Sequence, residues 1–269
     1  MSVAPRLGGR SGLGSVLPGT LLVALVFSLA PSSGPSSIDE PGSARAWIGP
    51  TPLAGQAPSG AGGPSPSEED PSGLLERASE RYEGLDAFCA EFEQERVVPL
   101  LNQTTRSAGT LCQKRPGYFL MDFSDPEGDR VVADGESLWI YYPSIDEAQV
   151  IRTRLGGAGG TFDFHAEFLE DPTRRFDARY LGTETVTGRS THVITLEPRD
   201  PVAYEEATVW LEVDRGLIRK VEIVEENESV RRVVLSDIRV EPGLDASRFS
   251  FEPPPGAQVL DRNLPSARR

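Results

Sequence analysis

The chain has 269 residues, of which 41 are Asp or Glu and 27 are Lys or Arg, and its formal net charge at pH 7 is −14. A negative charge of this size repels phosphate backbones, so the composition argues against a nucleic-acid-binding protein. The sequence also lacks a GxSxG motif, a P-loop and a dinucleotide fingerprint, and its two histidines stand apart. We therefore expect no enzyme, no metal site and no cofactor. A hydrolase with paired carboxylates is the alternative, although no pair stands out.

Residues 1–46 have the features of an export leader. Two arginines precede an apolar run at 20–30, which is shorter than the ~20 residues that a membrane-spanning helix needs. A small-x-small processing motif ends at Ala46, and a second candidate site at Ala30 is disfavoured by the proline after it. The pattern predicts a signal peptide, with an uncleaved interfacial anchor as the alternative.

Residues 47–70 continue a stretch rich in Pro, Gly, Ser and Ala. Such a composition buries too little apolar surface to offset chain entropy, so we expect a disordered linker. One globular domain over residues 71–261 and a disordered tail over residues 262–269 are expected to follow.

A helix is predicted to begin at Asp70-Pro71, because the carboxylate can cap free amides and proline suits the first helical position. It is expected to end near Tyr82, with Gly84 after it. Its spacing places an apolar stripe opposite a charged face. The stripe consists of Leu74, Leu75, Ala78, Tyr82 and Leu85.

Two strands at 87–98 and 107–115 are predicted to form a hairpin. If the turn is centred near residues 100 and 101, opposed positions sum to 201, and Cys89 faces Cys112. Two facing cysteines in an exported protein predict a disulfide, with a pair of free thiols on the outer face as the alternative. The same register places Arg115 on an apolar face, where a guanidinium must find acceptors.

Residues 107–143 read as four short strands separated by turn signals, which predicts an antiparallel meander. Phe119, Met121 and Phe123 share one face by the two-residue period. The pattern suits an ordinary core face or a lipid-binding face equally well.

A strand is predicted at 148–154, and a glycine-rich run at 156–160 then interrupts the pattern. The next segment, 161–169, is predicted to be a short helix that is apolar around much of its circumference. An apolar helix on a glycine hinge suits a lid. Its aromatic residues are Phe162, Phe164 and Phe168.

The rest of the domain is predicted to be strands at regular intervals, which is typical of a barrel or a curved sheet. Their expected ranges are 176–185, 191–197, 206–214, 217–225 and 229–240. Phe249 and Phe251 are expected in a closing β-segment, and the three prolines at 253–255 must leave it because they cannot donate to a ladder.

Three motifs carry a resemblance to a known family. They are KRPGYF at 114–119, VADGESLWIYYP at 132–143 and FSFEPPPGAQV at 249–259. In order and spacing they resemble the KRP, DG-LW-YNP and F-F-PP-GV signatures of LolA, the periplasmic carrier family for outer-membrane lipoproteins. The similarity extends from about residue 73 to about residue 261. The long linker, the paired cysteines and the glycine-rich run depart from the better-known members.

The resemblance implies an α+β fold, an incomplete antiparallel β-barrel of about 10–11 strands covered by lid helices. It implies that Arg115 bonds the lid-helix backbone and acts as a gate, with Phe162, Phe164 and Phe168 in the lid. Phe119 matches the family's cavity phenylalanine. The residues assigned to the acyl-binding cavity are Phe88, Phe92, Leu111, Phe119, Met121, Phe123 and Trp139.

The function implied is that of a monomeric periplasmic chaperone. It would take acylated lipoproteins from an inner-membrane lipoprotein-releasing ABC transporter complex and pass them to an outer-membrane receptor, where one exists. Two alternatives stay open from the sequence, a periplasmic sensor that uses the same half-barrel and a general lipid or glycolipid binder.

Overall fold

The structure, a computed structural model, describes residues 69–155 and 166–261. The predicted leader and the tail lie outside these ranges, as do almost all of the linker and the lid residues Phe162 and Phe164. No helix within the described ranges is long and apolar enough to cross a membrane.

The first described helix, α1, spans Pro71–Glu83, as the sequence predicts. The Asp70 side chain accepts hydrogen bonds from the amides of Ser72 and Gly73, at 3.1 and 3.2 Å, which satisfies two free donors of the first turn. Gly84 ends the helix with its amide bonded to the Glu80 carbonyl. Four residues of the predicted stripe are buried, namely Leu74, Leu75, Ala78 and Tyr82, and Leu85, which follows the helix, is partly buried.

Within the described ranges, twelve strands form one sheet. They are β1 Ala87–Val98, β2 Gln103–Lys114, β3 Tyr118–Asp125, β4 Glu127–Asp134, β5 Ser137–Tyr141, β6 Gln149–Arg154, β7 Phe176–Val186, β8 Arg189–Pro198, β9 Glu206–Glu212, β10 Ile218–Val224, β11 Val230–Val240 and β12 Gln258–Asp261. Short helices lie between some of them: α2 Pro143–Asp146, α3 Ala166–Leu169 and α4 Pro172–Arg175.

The sheet is not closed into a barrel. Its strand order is β12-β6-β5-β4-β3-β2-β1-β11-β10-β9-β8-β7, so β7 and β12 are the two edges. All neighbouring pairs are antiparallel except β12 and β6, which run parallel. This topology confirms the unclosed, mostly antiparallel barrel and adds at least one strand to the expected 10–11.

The expected closing β-segment at Phe249 and Phe251 is wrong. Ala246–Phe249 forms a 3₁₀ turn, in which the Asp245 side chain accepts a hydrogen bond from the Ser247 amide. The prolines that follow cannot join a ladder, so the strand forms later, at Gln258–Asp261, where amide donors are available again.

The two faces of the sheet bury different sets of residues. On the face covered by α1, here called the inner face, most of the apolar side chains form one core. On the outer face, a smaller cluster forms around the cysteines and Phe249. The period of two along each strand separates the two sets.

Candidate functional site

Six of the predicted cavity residues meet on the inner face. The register pairs Ala90 with Leu111 and Leu111 with Met121, which creates a continuous apolar row across β1, β2 and β3. Parallel rows on either side contain the phenylalanines. The six residues are at most 5% exposed, and they are Phe88, Phe92, Leu111, Phe119, Met121 and Phe123.

Gly109 shapes this face in a way that sequence reasoning missed. It lies opposite both Phe92 on β1 and Phe123 on β3. A Cβ at this position would collide with the backbone of Asp122 and lie 2.8 Å from the Cα of Phe123. Because glycine has no Cβ, the backbone of β3 can approach β2 closely here, and the rings of Phe92 and Phe123 on the flanking strands meet edge to face with centroids 5.1 Å apart.

Helix α1 covers the inner face and is attached to β10 and to the turn between β9 and β10. The hydroxyl of Tyr82 accepts a 2.7 Å hydrogen bond from the Ile218 amide on β10, and its ring packs edge to face on Phe88. The turn between β9 and β10 approaches the helix so closely that a Cβ on Gly216 would lie 3.9 Å from the Cβ of Ala78. These contacts hold α1 against the inner face, with Tyr82 at the Phe88 end of the apolar rows.

Arg115, the predicted gate residue, lies near the C-terminal end of α1. It follows β2 directly, and its amide donates a 2.9 Å hydrogen bond to the carbonyl of Asp86. Together with Tyr82 and Leu85 it lines a narrow cleft of about 10 Å³ at the C-terminal end of α1. The volume is close to that of a single water site, so an acyl chain cannot occupy this cleft as it stands.

The described end of the predicted lid helix is α3. Its Phe168 is fully buried and packs against Tyr204, with ring centroids 6.5 Å apart. The neighbouring Glu167 is also buried, and its carboxylate accepts a 2.8 Å hydrogen bond from the Tyr204 hydroxyl and lies 3.4 Å from Nη2 of Arg175. Burial raises the pKa of the Glu167 carboxyl above its ordinary value, against the opposing effect of Arg175.

Trp139 is the one predicted cavity residue that the structure places elsewhere. On β5 the period of two directs Leu138 and Ile140 to the inner core, and Trp139 packs on the outer face against Phe251. Its Nε1 donates a 2.7 Å hydrogen bond to the carboxylate of Asp134. The alternation along β5 already indicates that Trp139 points away from the face of Leu138 and Ile140, but the motif resemblance favoured the cavity for Trp139.

The predicted disulfide between Cys89 and Cys112 is confirmed. The hairpin has the expected register, in which opposed positions sum to 201, and the two sulfur atoms are bonded at 2.08 Å. Both residues lie on the outer face, directly behind the apolar rows. The bond therefore fixes β1 against β2 without occupying the inner face.

The inner face is largely apolar. Its rows present phenylalanine, leucine and methionine side chains, which can contact an aliphatic chain but cannot transfer protons, and the buried amide of Gln113 lies between Phe88 and Phe119. Within residues 69–155 and 166–261, no three His, Cys, Asp or Glu side chains converge as metal ligands would.

Comparisons with known sequences show the family of the chain. Residues 83–252 match the family model described as outer membrane lipoprotein carrier protein LolA. An outer-membrane lipoprotein carrier protein of Halorhodospira halophila is 26% identical over 195 residues, which cover 71% of this chain and 86% of the relative. One from Legionella pneumophila (strain Paris) is 27% identical over 181 residues, covering 67% and 86%.

Among solved structures, a LolA superfamily protein from Nitrosomonas europaea matches with a TM-score of 0.36 and 16% identity, over 67% of this chain and 97% of that one. The family model spans well over half of the residues in the chain. The chain therefore belongs to the LolA family of outer membrane lipoprotein carrier proteins.

Proposed function

We propose that the chain is a periplasmic chaperone that binds the acyl chains of lipoproteins released from the inner membrane and carries them to the outer membrane. The observation that supports this most directly is the set of apolar rows on the inner face, covered by a helix that a ligand could displace. Membership of the carrier family gives the chemical class of the cargo.

The energies favour displacement of α1 by cargo. The helix buries Leu74, Leu75, Ala78 and Tyr82. Since a buried leucine or a residue of similar size contributes about 1.5–3 kcal/mol, lifting the helix costs roughly 5–9 kcal/mol. An acyl chain of about 15 methylenes recovers about 12 kcal/mol on burial. Relative to water, one chain is therefore enough to offset the burial of these four side chains, and without cargo the face stays covered.

Arg115 and α3 are assigned to control of the opening. Arg115 lies beside Tyr82 and Leu85 at the C-terminal end of α1, where a guanidinium can bond helix carbonyls and hold the helix down. The buried contacts of Phe168 and Glu167 fix one end of the lid segment. Movement of α1 is expected to expose the rows while the disulfide keeps β1 and β2 together.

The partners follow from the cycle of loading and release. Tens of methylenes cannot cross an aqueous compartment unaided, so loading requires a membrane complex that extracts the lipoprotein, here an inner-membrane ABC transporter. Delivery requires an outer-membrane receptor or the membrane itself. We infer export by the leader at 1–46, a flexible linker at 47–70, a monomeric carrier, no enzymatic step and no cofactor in this chain.

Gel filtration with a triacylated lipopeptide tests the proposal. The exported protein is expected to carry the acylated peptide through the column, whereas the same peptide without acyl chains elutes alone. Failure to retain the acylated peptide would contradict the proposal. Equal retention of phosphatidylglycerol or a glycolipid would support the general lipid binder, and retention of a regulatory protein in place of lipid would support the sensor.

A further inference from the structure

The hairpin between β1 and β2 ends in two leucines that no part of the described chain covers. Leu100 and Leu101 are 77% and 70% exposed, more than any other large apolar side chain in the described ranges. They belong to the 3₁₀ turn Pro99–Leu101. Asn102 closes this turn in the left-handed region, with its amide bonded to the Pro99 carbonyl at 3.0 Å. The turn therefore holds both leucines outward in a defined conformation.

The tip extends beyond β3 but not beyond β11. β3 pairs with β2 from Ala108 to Lys114, whereas β11 pairs with β1 as far as Val97. The first five residues of β2 have no partner on the β3 side, and at about 3.3 Å per residue they extend roughly 17 Å past it. Ile145 of α2 is 58% exposed and lies at the same end of the sheet, where β5 also ends.

The charge pattern of the hairpin is unusual for so acidic a chain. The nine residues 97–105 include no charged side chain, and the first charges on either side are Arg96 and Arg106. Arg96 lies 3.5 Å from Glu225, and Arg106 lies 2.9 Å from Glu95. The residues of the tip can thus enter an apolar medium without burying a charge. Both arginines, their glutamate partners and the exposed Glu226 and Glu228 of the neighbouring turn between β10 and β11 would stay at the depth of the lipid headgroups.

We propose that the tip, Pro99–Leu101, inserts into the interface of a lipid bilayer and docks the protein there while acyl chains are transferred. This inference rests on the proposed carrier function, because a carrier of acyl chains must meet a membrane or a membrane-bound partner at each end of its path. A convex tip of two leucines offers no groove to a partner chain. Its area is also far below the ~1,200 Å² that a stable interface between two copies buries.

Flotation with phosphatidylcholine vesicles tests the proposal on the exported protein. Each buried leucine contributes about tenfold or more to partition, so Leu100→Asp with Leu101→Asp should lower vesicle binding at least a hundredfold. The control is Leu181→Asp, which changes a leucine that is 56% exposed on the edge strand β7 and should leave binding unchanged. No flotation of the unaltered protein, or equal flotation of all three proteins, would overturn the proposal.

Two further readouts separate this proposal from its rivals. The tip variant should still retain the triacylated lipopeptide on gel filtration; if it does not, the leucines belong to the cargo site and the docking proposal is wrong. If the unaltered protein elutes as a dimer and the tip variant as a monomer, the tip joins two copies and the proposal is again wrong. Tip-dependent flotation in a protein that retains no lipopeptide would refute the carrier function alone.

Discussion

If acyl chains reach the inner face by displacing α1, a covalent link between α1 and the sheet should abolish binding. The structure supplies a suitable pair of positions, because a Cβ on Gly216 would lie 3.9 Å from the Cβ of Ala78. This separation falls within the range of about 3.5–4.5 Å found in disulfides. The double variant Ala78→Cys, Gly216→Cys should therefore form a bond that fixes the helix to the turn between β9 and β10.

The expected energies show that the locked form should be folded. Gly216 has φ +65°, so a cysteine there costs about 1–2 kcal/mol. The long loop that the new bond closes should stabilise the folded state by roughly 5 kcal/mol. Ala78 is 1% exposed, and the small cysteine side chain requires little rearrangement at that site. The oxidised variant should thus be at least as stable as the unaltered protein, so a loss of binding cannot be ascribed to unfolding.

The assay is retention of a triacylated lipopeptide by the oxidised and the reduced variant. Binding should fall at least tenfold on oxidation and recover on reduction, while each single-cysteine variant should bind like the unaltered protein. The native bond between Cys89 and Cys112 is buried, and the unaltered protein treated with the same reductant controls for it. Undiminished binding by the oxidised double variant would show that α1 need not move.

Three other outcomes are expected. Replacement of Cys89 and Cys112 by serine removes a crosslink across 23 residues, which stabilises the folded state by about 3 kcal/mol. The replacement should lower Tm by roughly 6–12 °C. An unchanged Tm would contradict a structural role for the bond. Because the pKa of Glu167 is raised, the folded state holds the carboxyl proton more tightly than the unfolded state does. The unaltered protein therefore loses stability as pH rises through the shifted pKa. In urea titrations, the stability of Glu167→Gln relative to the unaltered protein should increase from pH 4 to pH 8. Gly109→Ala should destabilise the folded protein by about 1–3 kcal/mol, because the added Cβ collides with β3. The control is Gly84→Ala, where a Cβ meets nothing closer than 3.5 Å, and it should change the stability in urea far less. Equal effects of the two substitutions would contradict the packing argument.

Local patterns were enough to predict α1, most of the strands and the hairpin register. The cap at Asp70 and the stripe of α1 depend on neighbours within two turns, so they can be read directly. The pairing of Cys89 with Cys112 needed only a turn position, since antiparallel register follows from it. Alternation on β1 to β3 likewise placed the six inner-face residues together.

Contacts between distant segments could not be predicted in this way. The hydrogen bond from Ile218 to Tyr82 joins residues 136 apart, and no local pattern reports it. The hydrogen bond between Tyr204 and Glu167 could not be predicted either. Without knowledge of its partner, an acid on an apolar helix is expected to face solvent. Phe249 and Phe251 look like a strand by alternation, but a capped 3₁₀ turn and the prolines after it prevail.

Photo-crosslinking in cells tests the central claim most directly. A benzophenone amino acid at Phe119 lies on the inner face, and the same residue at Trp139 lies on the outer face as a matched control. The account predicts that position 119 captures acylated N-terminal peptides of many lipoproteins and that position 139 captures none. Equal capture at both positions, or capture at position 119 of phospholipid or a regulatory protein without lipoprotein, would contradict it.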